Sequence, residues 1–115
     1  MNIKITDNKK LNYLLPAIEK KIKELFGSKV VKIILYGSFA RGDYNSESDV
    51  DILVLVDGKD LSRYRKERIK IISEFLTDHD ILLSIRITNN SQFLEYKHIL
   101  PFYKNVLNDG VLLYG

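Results

Sequence analysis

The stretch LYGSFARGDYNSESDVDILVLV, residues 35–56, carries the pattern that decides the fold and the chemistry of this chain. A Gly-Ser pair, Gly37 and Ser38, follows an apolar run, and ten residues separate it from an Asp-x-Asp motif, Asp49 and Asp51. A Gly-Ser turn that leaves a strand exposes backbone N–H groups and a hydroxyl to phosphate oxygens. Two carboxylates at positions i and i+2 of a strand point to one side and can hold Mg²⁺. The stretch therefore predicts nucleotide chemistry, most simply nucleotidyl transfer.

Length and composition place this pattern in an ordinary globular chain. The 115 residues, of which 45% are hydrophobic and 29% charged, predict a single domain over residues 1–115. No cysteine is present, which excludes disulfides and thiolate metal sites. The polar segment Met1–Lys10 lacks the apolar region of a signal peptide, and the apolar runs are too short to span a bilayer. We therefore expect a cytoplasmic protein.

The charge balance is mildly basic, with 18 basic and 15 acidic residues and a net charge of +3. Most of the basic residues lie on segments with helical periodicity, which favours a solvated helix face. Direct binding to nucleic acid is accordingly not expected, and the charge leaves the oligomeric state open.

Hydrophobic periodicity predicts helices and strands in alternation along the chain. Helices are expected at Lys10–Phe26, Leu61–Leu76, Gln92–His98 and from Pro101 to Gly110, and strands at Val30–Tyr36, Asp49–Val56 and Ile81–Ile87. Pro16 predicts that the first helix starts near Leu15 rather than at Lys10. The second helix is expected to turn four apolar side chains inward, namely Ile69, Ile72, Phe75 and Leu76. These elements predict a small α/β (α+β) domain, with helices packed on one mixed sheet.

Each residue of the motif has a predicted role in nucleotidyl transfer. Asp49 and Asp51 would hold the metal, with two Mg²⁺ ions expected. Gly37 would let the backbone approach the triphosphate, since a Cβ atom there would intrude. Ser38 would donate its hydroxyl and N–H to the phosphates. Arg41 lies one turn further on and would reach the same phosphates or instead clamp the polar loop that follows.

The motif, from Leu35 through Val54, resembles the signature of minimal nucleotidyltransferases, the MNT branch of the DNA polymerase β-like superfamily. The tail, LPFYKNV at residues 100–106 and DGVLLY at residues 109–114, is similar to the ending common in that branch. The resemblance implies the polymerase β-like nucleotidyltransferase fold and the use of ATP as substrate. It also implies a HEPN-domain toxin as partner, with this chain as the antitoxin that transfers AMP to it.

The third acidic residue usual in that superfamily is the least certain part of the site. It would lie on the strand predicted at Ile81–Ile87, which contains no acid; Ser84 or Arg86 occupies the comparable place. Asp80, just before the strand, is the nearest alternative, although it is also expected as a surface turn residue. We therefore expect Asp49 and Asp51 to act without a third carboxylate, in a slow enzyme.

Two other functions remain open at this point. The chain could neutralise a HEPN partner by contact alone, as a binding module with a vestigial site. Transfer to a small molecule, as in aminoglycoside-modifying relatives, is a weaker alternative, because those enzymes usually carry a further domain for the acceptor. The sequence leaves open the acceptor and the nucleotide preference.

Overall fold

A computed structural model describes residues 5–115; residues 1–4, the start of the polar segment Met1–Lys10, lie outside the described part. The helices are α1 (Lys9–Phe26), α2 (Ser38–Arg41), α3 (Arg65–His79), α4 (Asn90–Tyr96) and α5 (Pro101–Asp109), and the strands are β1 (Val30–Tyr36), β2 (Val50–Val56), β3 (Leu83–Asn89) and β4 (Val111–Tyr114). Short 3₁₀ turns precede β1 and α3. The predicted mixed α/β architecture is confirmed.

The strands form one mixed sheet in the order β3-β2-β1-β4. Strand β1 pairs antiparallel with β2 and with β4, whereas β2 and β3 run parallel. A parallel pair needs a crossover connection, which α3 supplies. Five consecutive residues at the end of β2, Ile52–Val56, are buried on both faces of the sheet, as expected for a central strand.

One face of the sheet, which we call the closed face, packs against α1 and α3. The helices contribute an apolar stripe that includes Leu11, Ile18 and Ile71. The sheet contributes alternate residues such as Ile52 and Val54, both fully buried. This layer forms the main hydrophobic core and fixes the position of β2.

The opposite face of the sheet, which we call the site face, is covered less completely by α4 and α5. Leu53 and Leu55 of β2 pack there against Phe93 of α4 and against Tyr103 and Val106 of α5. By alternation along β2, Asp51 belongs to this face too. The Asp51 carboxylate therefore reaches the surface at the end of the site face that α4 and α5 leave uncovered.

Helix α1 begins earlier than predicted. Asn8 caps it by accepting a hydrogen bond from the N–H of Leu11 at 2.8 Å, and Pro16 lies inside the helix with its ring exposed. Proline removes one backbone hydrogen bond, but the buried stripe that continues through Leu11, Leu14 and Leu15 keeps the first turns helical. The prediction that the helix starts near Leu15 is wrong.

Other boundaries also differ by a few residues. Strand β3 starts at Leu83 because the preceding Ile81 N–H still bonds to Phe75 C=O, at 3.3 Å, as part of the end of α3. Helix α4 begins at Asn90 rather than at the predicted Gln92 and is capped by Asn89, whose side chain accepts from Gln92 N–H at 3.0 Å.

The buried stripe of α3 also differs from the prediction. Ile71 and Phe75 are buried, whereas Ile69 and Leu76 are exposed, so the inward assignment of those two is wrong. The predicted helix that begins at Pro101 is confirmed, whereas the strand β4 that follows it was not predicted. Among residues 5–115, no helix has the length and apolar character needed to cross a membrane.

Candidate active site

The Gly-Ser turn joins β1 to the short helix α2. Gly37 adopts φ 78° and ψ −156°, in a region that L-residues with a side chain rarely occupy. Its carbonyl accepts the N–H groups of Ala40 and Arg41 at 3.1 and 3.0 Å, so the chain turns sharply into the helix. The first N–H groups of a helix have no partner within it. The turn therefore offers the N–H and hydroxyl of Ser38 to an anion.

Gly37 also lies directly against Asp51. A Cβ atom on Gly37 would collide with the Asp51 carboxylate, whose Oδ2 is the nearest heavy atom. This contact follows from the antiparallel pairing of β1 and β2, in which Tyr36 is the register partner of Asp51. Gly37 thus allows the backbone conformation of the turn and also leaves the space that the Asp51 carboxylate occupies.

The two motif carboxylates interact with each other. Asp51 is half-buried on β2, and Asp49 is exposed immediately before the strand. Burial raises the pKa of the Asp51 carboxyl above its usual range, the negative charge of Asp49 raises it further, and Arg41 opposes both effects. We call the turn formed by Gly37 and Ser38 the phosphate cradle. Two carboxylates that repel each other beside it form a donor set that suits a divalent cation.

Asp49 and Asp51 are the two acidic side chains that the motif supplies to such a site. Within the described range 5–115, no three side chains of the His, Cys, Asp or Glu type converge on one position. Carboxylate oxygens are ligands that Mg²⁺ prefers, so Asp49 and Asp51 would suit a Mg²⁺ ion whose other oxygen ligands come from phosphates and water.

The register between β2 and β3 decides what stands beside the pair. Ser84 is the partner of Asp51, and Arg86 is the partner of Leu53, one pair further along on the same face. Asp80 lies outside the ladder: it ends α3 with a left-handed backbone (φ 54°), and its N–H donates to Leu76 C=O at 3.1 Å. Ser84 is thus the residue of β3 that lies beside Asp51.

Arg41 is held by two carboxylates at the edge of the site. Its Nε lies 3.2 Å from Asp43 Oδ2, and its Nη1 lies 3.4 Å from Asp109 Oδ2. Asp43 belongs to the polar loop after α2, and Asp109 is the last residue of α5. Arg41 therefore links the loop to the end of α5, and it also borders the cleft described next.

These residues meet in a cleft of about 280 Å³ on the site face, which we call the nucleotide cleft. It is lined by Tyr36, Gly37, Ser38, Arg41, Asp51, Phe102, Asn105 and Asp109. The Phe102 ring packs edge-on against Tyr36 at 5.4 Å, and the Arg86 guanidinium lies 4.1 Å from its centre. The sequence did not predict that α5 forms one side of the nucleotide cleft, because the motif gives no information about a segment some sixty residues away.

A Gly-Ser turn after a buried strand, with one carboxylate on the neighbouring strand of a mixed sheet and a second just before that strand, is typical of the nucleotidyltransferase class. A family model for the nucleotidyltransferase domain matches residues 15–113. The chain belongs to this family, and the predicted membership among nucleotidyltransferases is confirmed.

Known relatives and solved structures agree with the family. Two relatives from Methanocaldococcus jannaschii are candidate protein adenylyltransferases: one is 39% identical over 62% of this chain and 72% of its own length, the other 34% identical over 84% and 97%. The fold resembles that of a chain in a toxin–antitoxin crystal structure with AMP-PNP, with a TM-score of 0.60 and 21% identity over 88% of this chain and 73% of that one.

Proposed function

We propose that this protein is a Mg²⁺-dependent nucleotidyltransferase that transfers AMP from ATP to a protein acceptor, and that it acts in the cytoplasm as the antitoxin of a HEPN-domain toxin. The observation that carries the proposal is the contact between Gly37 and the Asp51 carboxylate. Through it, the Gly37–Ser38 turn and the Asp51 carboxylate share one site.

The residues of the chain divide the work of the reaction. Gly37 and Ser38 bind and orient the triphosphate through backbone N–H groups and a hydroxyl. Asp49 and Asp51 would hold Mg²⁺, which supplies electrostatic stabilisation of the charge that develops on the phosphate oxygens. The acceptor hydroxyl forms a bond to the α-phosphorus, the bond to the β-phosphate oxygen breaks, and pyrophosphate leaves. The hydroxyl proton passes to water or to one of the two carboxylates, because Ser84 cannot take it as a carboxylate would.

Two findings support a protein acceptor and a toxin partner. The relative matched over nearly its full length is a candidate protein adenylyltransferase. The fold likeness to a chain of a toxin–antitoxin structure agrees with the resemblance to the MNT branch. The exposed basic residues around α3, including Arg65, Lys66 and Lys70, offer one surface for such a partner.

A second function is favoured by one specific observation. Ser84 stands where a third carboxylate would complete the site, and an incomplete site suits a protein that neutralises its partner by contact alone. In that case the cradle and the pair would be remnants that bind a nucleotide without using it.

Labelling of the partner separates the two functions. The protein is co-expressed with a HEPN-domain protein, purified as a complex and incubated with Mg²⁺ and α-labelled ATP. We expect label on the partner with wild type and a loss of at least about 100-fold with Asp51→Asn, because one metal ligand is gone.

The matched control is Asp57→Asn, which removes an exposed carboxylate just after β2. It should label its partner as wild type does. Equal labelling by wild type and Asp51→Asn would refute the catalytic assignment, and a stable complex without labelling would establish the binding module instead.

A further inference from the structure

The carboxylate pair stands between two cavities of the molecule. Asp51 lines the nucleotide cleft, whereas Asp49 lines a larger cavity of about 370 Å³ that shares no lining residue with the cleft. This second cavity, which we call the Asp49 pocket, is bounded by the start of α1, the polar loop at residues 45–48, the last turn of α3 and residues 80–82. The Asp49 pocket has no part in the roles assigned so far.

The Asp49 pocket presents apolar side chains to water. Leu76 and Leu82 both line it and are each 46% exposed. Leu82 adjoins the motif directly, because its carbonyl accepts the N–H of Val50 at 2.9 Å, one residue after Asp49. Exposed leucines beside a reactive group favour an apolar ligand, since binding would remove them from water.

The charge of the Asp49 pocket is opposite to that of the whole protein. Of the residues within 5–115, Glu47, Asp49 and Asp80 line it together with one cation, Lys10, whereas the chain carries a net charge of +3. Such a surface repels a triphosphate and attracts a basic segment. The combination of leucines and carboxylates therefore favours a basic, partly apolar polypeptide over the nucleotide itself.

We propose that the Asp49 pocket is the acceptor subsite, which takes a hydroxyl-bearing side chain from a peptide segment with an apolar neighbour and a basic flank. The proposal rests on the proposed function, because an in-line displacement places the acceptor opposite the departing pyrophosphate. With the triphosphate on Gly37 and Ser38 in the nucleotide cleft, the acceptor enters from the side of Asp49. The new oxygen–phosphorus bond forms there, and pyrophosphate leaves through the cleft.

Peptide binding tests the subsite independently of catalysis. The full chain, with Mg²⁺ and either without nucleotide or saturated with AMP-PNP, is titrated against fluorescent peptides that place one tyrosine or one serine between leucines and lysines, with anisotropy as the readout. Glutamate versions of both peptides are the charge controls. We expect at least one lysine peptide to bind, about 10-fold or more tightly than its glutamate version, and without competition from AMP-PNP.

Two variants locate the binding. Leu82→Lys, or Leu76→Lys if the first does not fold by circular dichroism, should weaken the lysine peptide at least about 10-fold and leave AMP-PNP binding intact. Leu94→Lys, at a leucine that is 51% exposed on α4 and outside the pocket, should bind as wild type does. Displacement of the peptide by AMP-PNP would place the nucleotide in the Asp49 pocket and overturn the proposal. Absence of peptide binding, or equal binding by Leu82→Lys and Leu94→Lys, would overturn it too.

The same variants keep this proposal distinct from the proposed function. If the peptide binds and responds to Leu82→Lys but no label passes from ATP to peptide or partner, transferase activity fails and the Asp49 pocket stands as a peptide site. If the partner is labelled equally by wild type and Leu82→Lys, the transferase function stands and the acceptor subsite is refuted.

Discussion

The two faces of the sheet are built from the same strand but serve different ends. On the closed face, Ile52 and Val54 of β2 are sealed under α1 and α3. On the site face, Leu53 and Leu55 are sealed under α4 and α5, but Asp51, two residues before Leu53, is left half-open to solvent. The difference shows that the candidate site lies where the layer formed by α4 and α5 ends. There the rigid strand β2 can expose the partly buried carboxylate of Asp51.

Truncation of the closed face should produce the largest loss of stability. Ile52→Ala removes three carbon atoms from a fully buried side chain in the centre of the sheet. We expect the free energy of unfolding to fall by about 2–5 kcal/mol, through lost burial and the cavity left behind. Urea denaturation followed by circular dichroism measures the change.

The control for this loss is Leu112→Ala, at a β4 leucine that is 52% exposed. It should cost clearly less, about 1 kcal/mol or below, because most of the side chain is already in water. An Ile52→Ala variant as stable as Leu112→Ala would mean that the closed face is not the main source of stability.

A methyl group at Gly37 should reduce partner labelling more than it reduces the stability of the fold. Gly37→Ala meets two penalties, a backbone at φ 78° and a collision with the Asp51 carboxylate. We expect a loss of about 1–3 kcal/mol in the free energy of unfolding, and partner labelling reduced at least about 100-fold because the carboxylate is displaced.

Gly58 offers a matched comparison for that variant. It also has a positive φ, 106°, but an added Cβ would meet nothing within 4 Å. Gly58→Ala should therefore show the backbone penalty with labelling unchanged. If both alanine variants label the partner equally well, the contact between Gly37 and Asp51 has no role in catalysis.

The charge at Asp51 should reduce stability slightly at neutral pH. Burial and the charge of Asp49 raise the pKa of the Asp51 carboxyl, so the folded state binds its proton more tightly than the unfolded chain does. Stability from this group is present below the ordinary carboxyl pKa and is lost as pH rises through the raised value. Asp51→Asn should thus have a Tm equal to or slightly above that of wild type at pH 7.

Thermal melts at pH 7 and near pH 4 check the sign. The advantage of Asp51→Asn should shrink as the pH falls, because the wild-type carboxyl becomes protonated and its penalty disappears. A lower Tm for the variant at pH 7, with the deficit growing as pH rises, would show that the ionised carboxylate stabilises the fold.

The smallest effect is expected at Asp80, the alternative third acid. Asp80→Asn keeps a residue that tolerates the left-handed backbone at φ 54° and removes only the charge. Since Ser84, and not Asp80, is the partner of Asp51, single-turnover transfer at saturating acceptor should change by about threefold or less, as for one exposed charge. A loss as deep as that of Asp51→Asn would make Asp80 the third catalytic acid.

Sequence reasoning could predict the cradle and the pair because their geometry is local. Gly37 and Ser38 are separated from Asp51 by one loop, and antiparallel pairing of β1 and β2 then brings Asp51 against the turn. Alternation along β2 gives the face of Asp51, whereas Asp49 lies just before the strand and lines a different cavity. The metal and phosphate roles of these residues stay predictions.

What the sequence could not supply depends on register and on distant segments. Whether Ser84 or Arg86 stands beside Asp51 depends on the parallel register with β3, and that strand begins two residues later than its apolar run suggests. The wrong inward assignment of Ile69 and Leu76 has a related cause. The apolar positions of α3 fit more than one stripe, and tertiary contact selects the one through Ile71 and Phe75.

The pairing of Arg41 with Asp109 has a consequence for the order in which the molecule assembles. The two residues are 68 positions apart, and the cost of closing so long a chain segment is met only once the strands between them have paired. The β1–β2 pair, which is joined by residues 37–49, needs no later part of the chain and can form while later residues are still being made. The side of the nucleotide cleft that contains Phe102 and Asp109 cannot form at that stage. A nascent chain would therefore contain the carboxylate pair before it contains the nucleotide cleft. Activity would then begin with the docking of α5, as a late event in the history of each molecule.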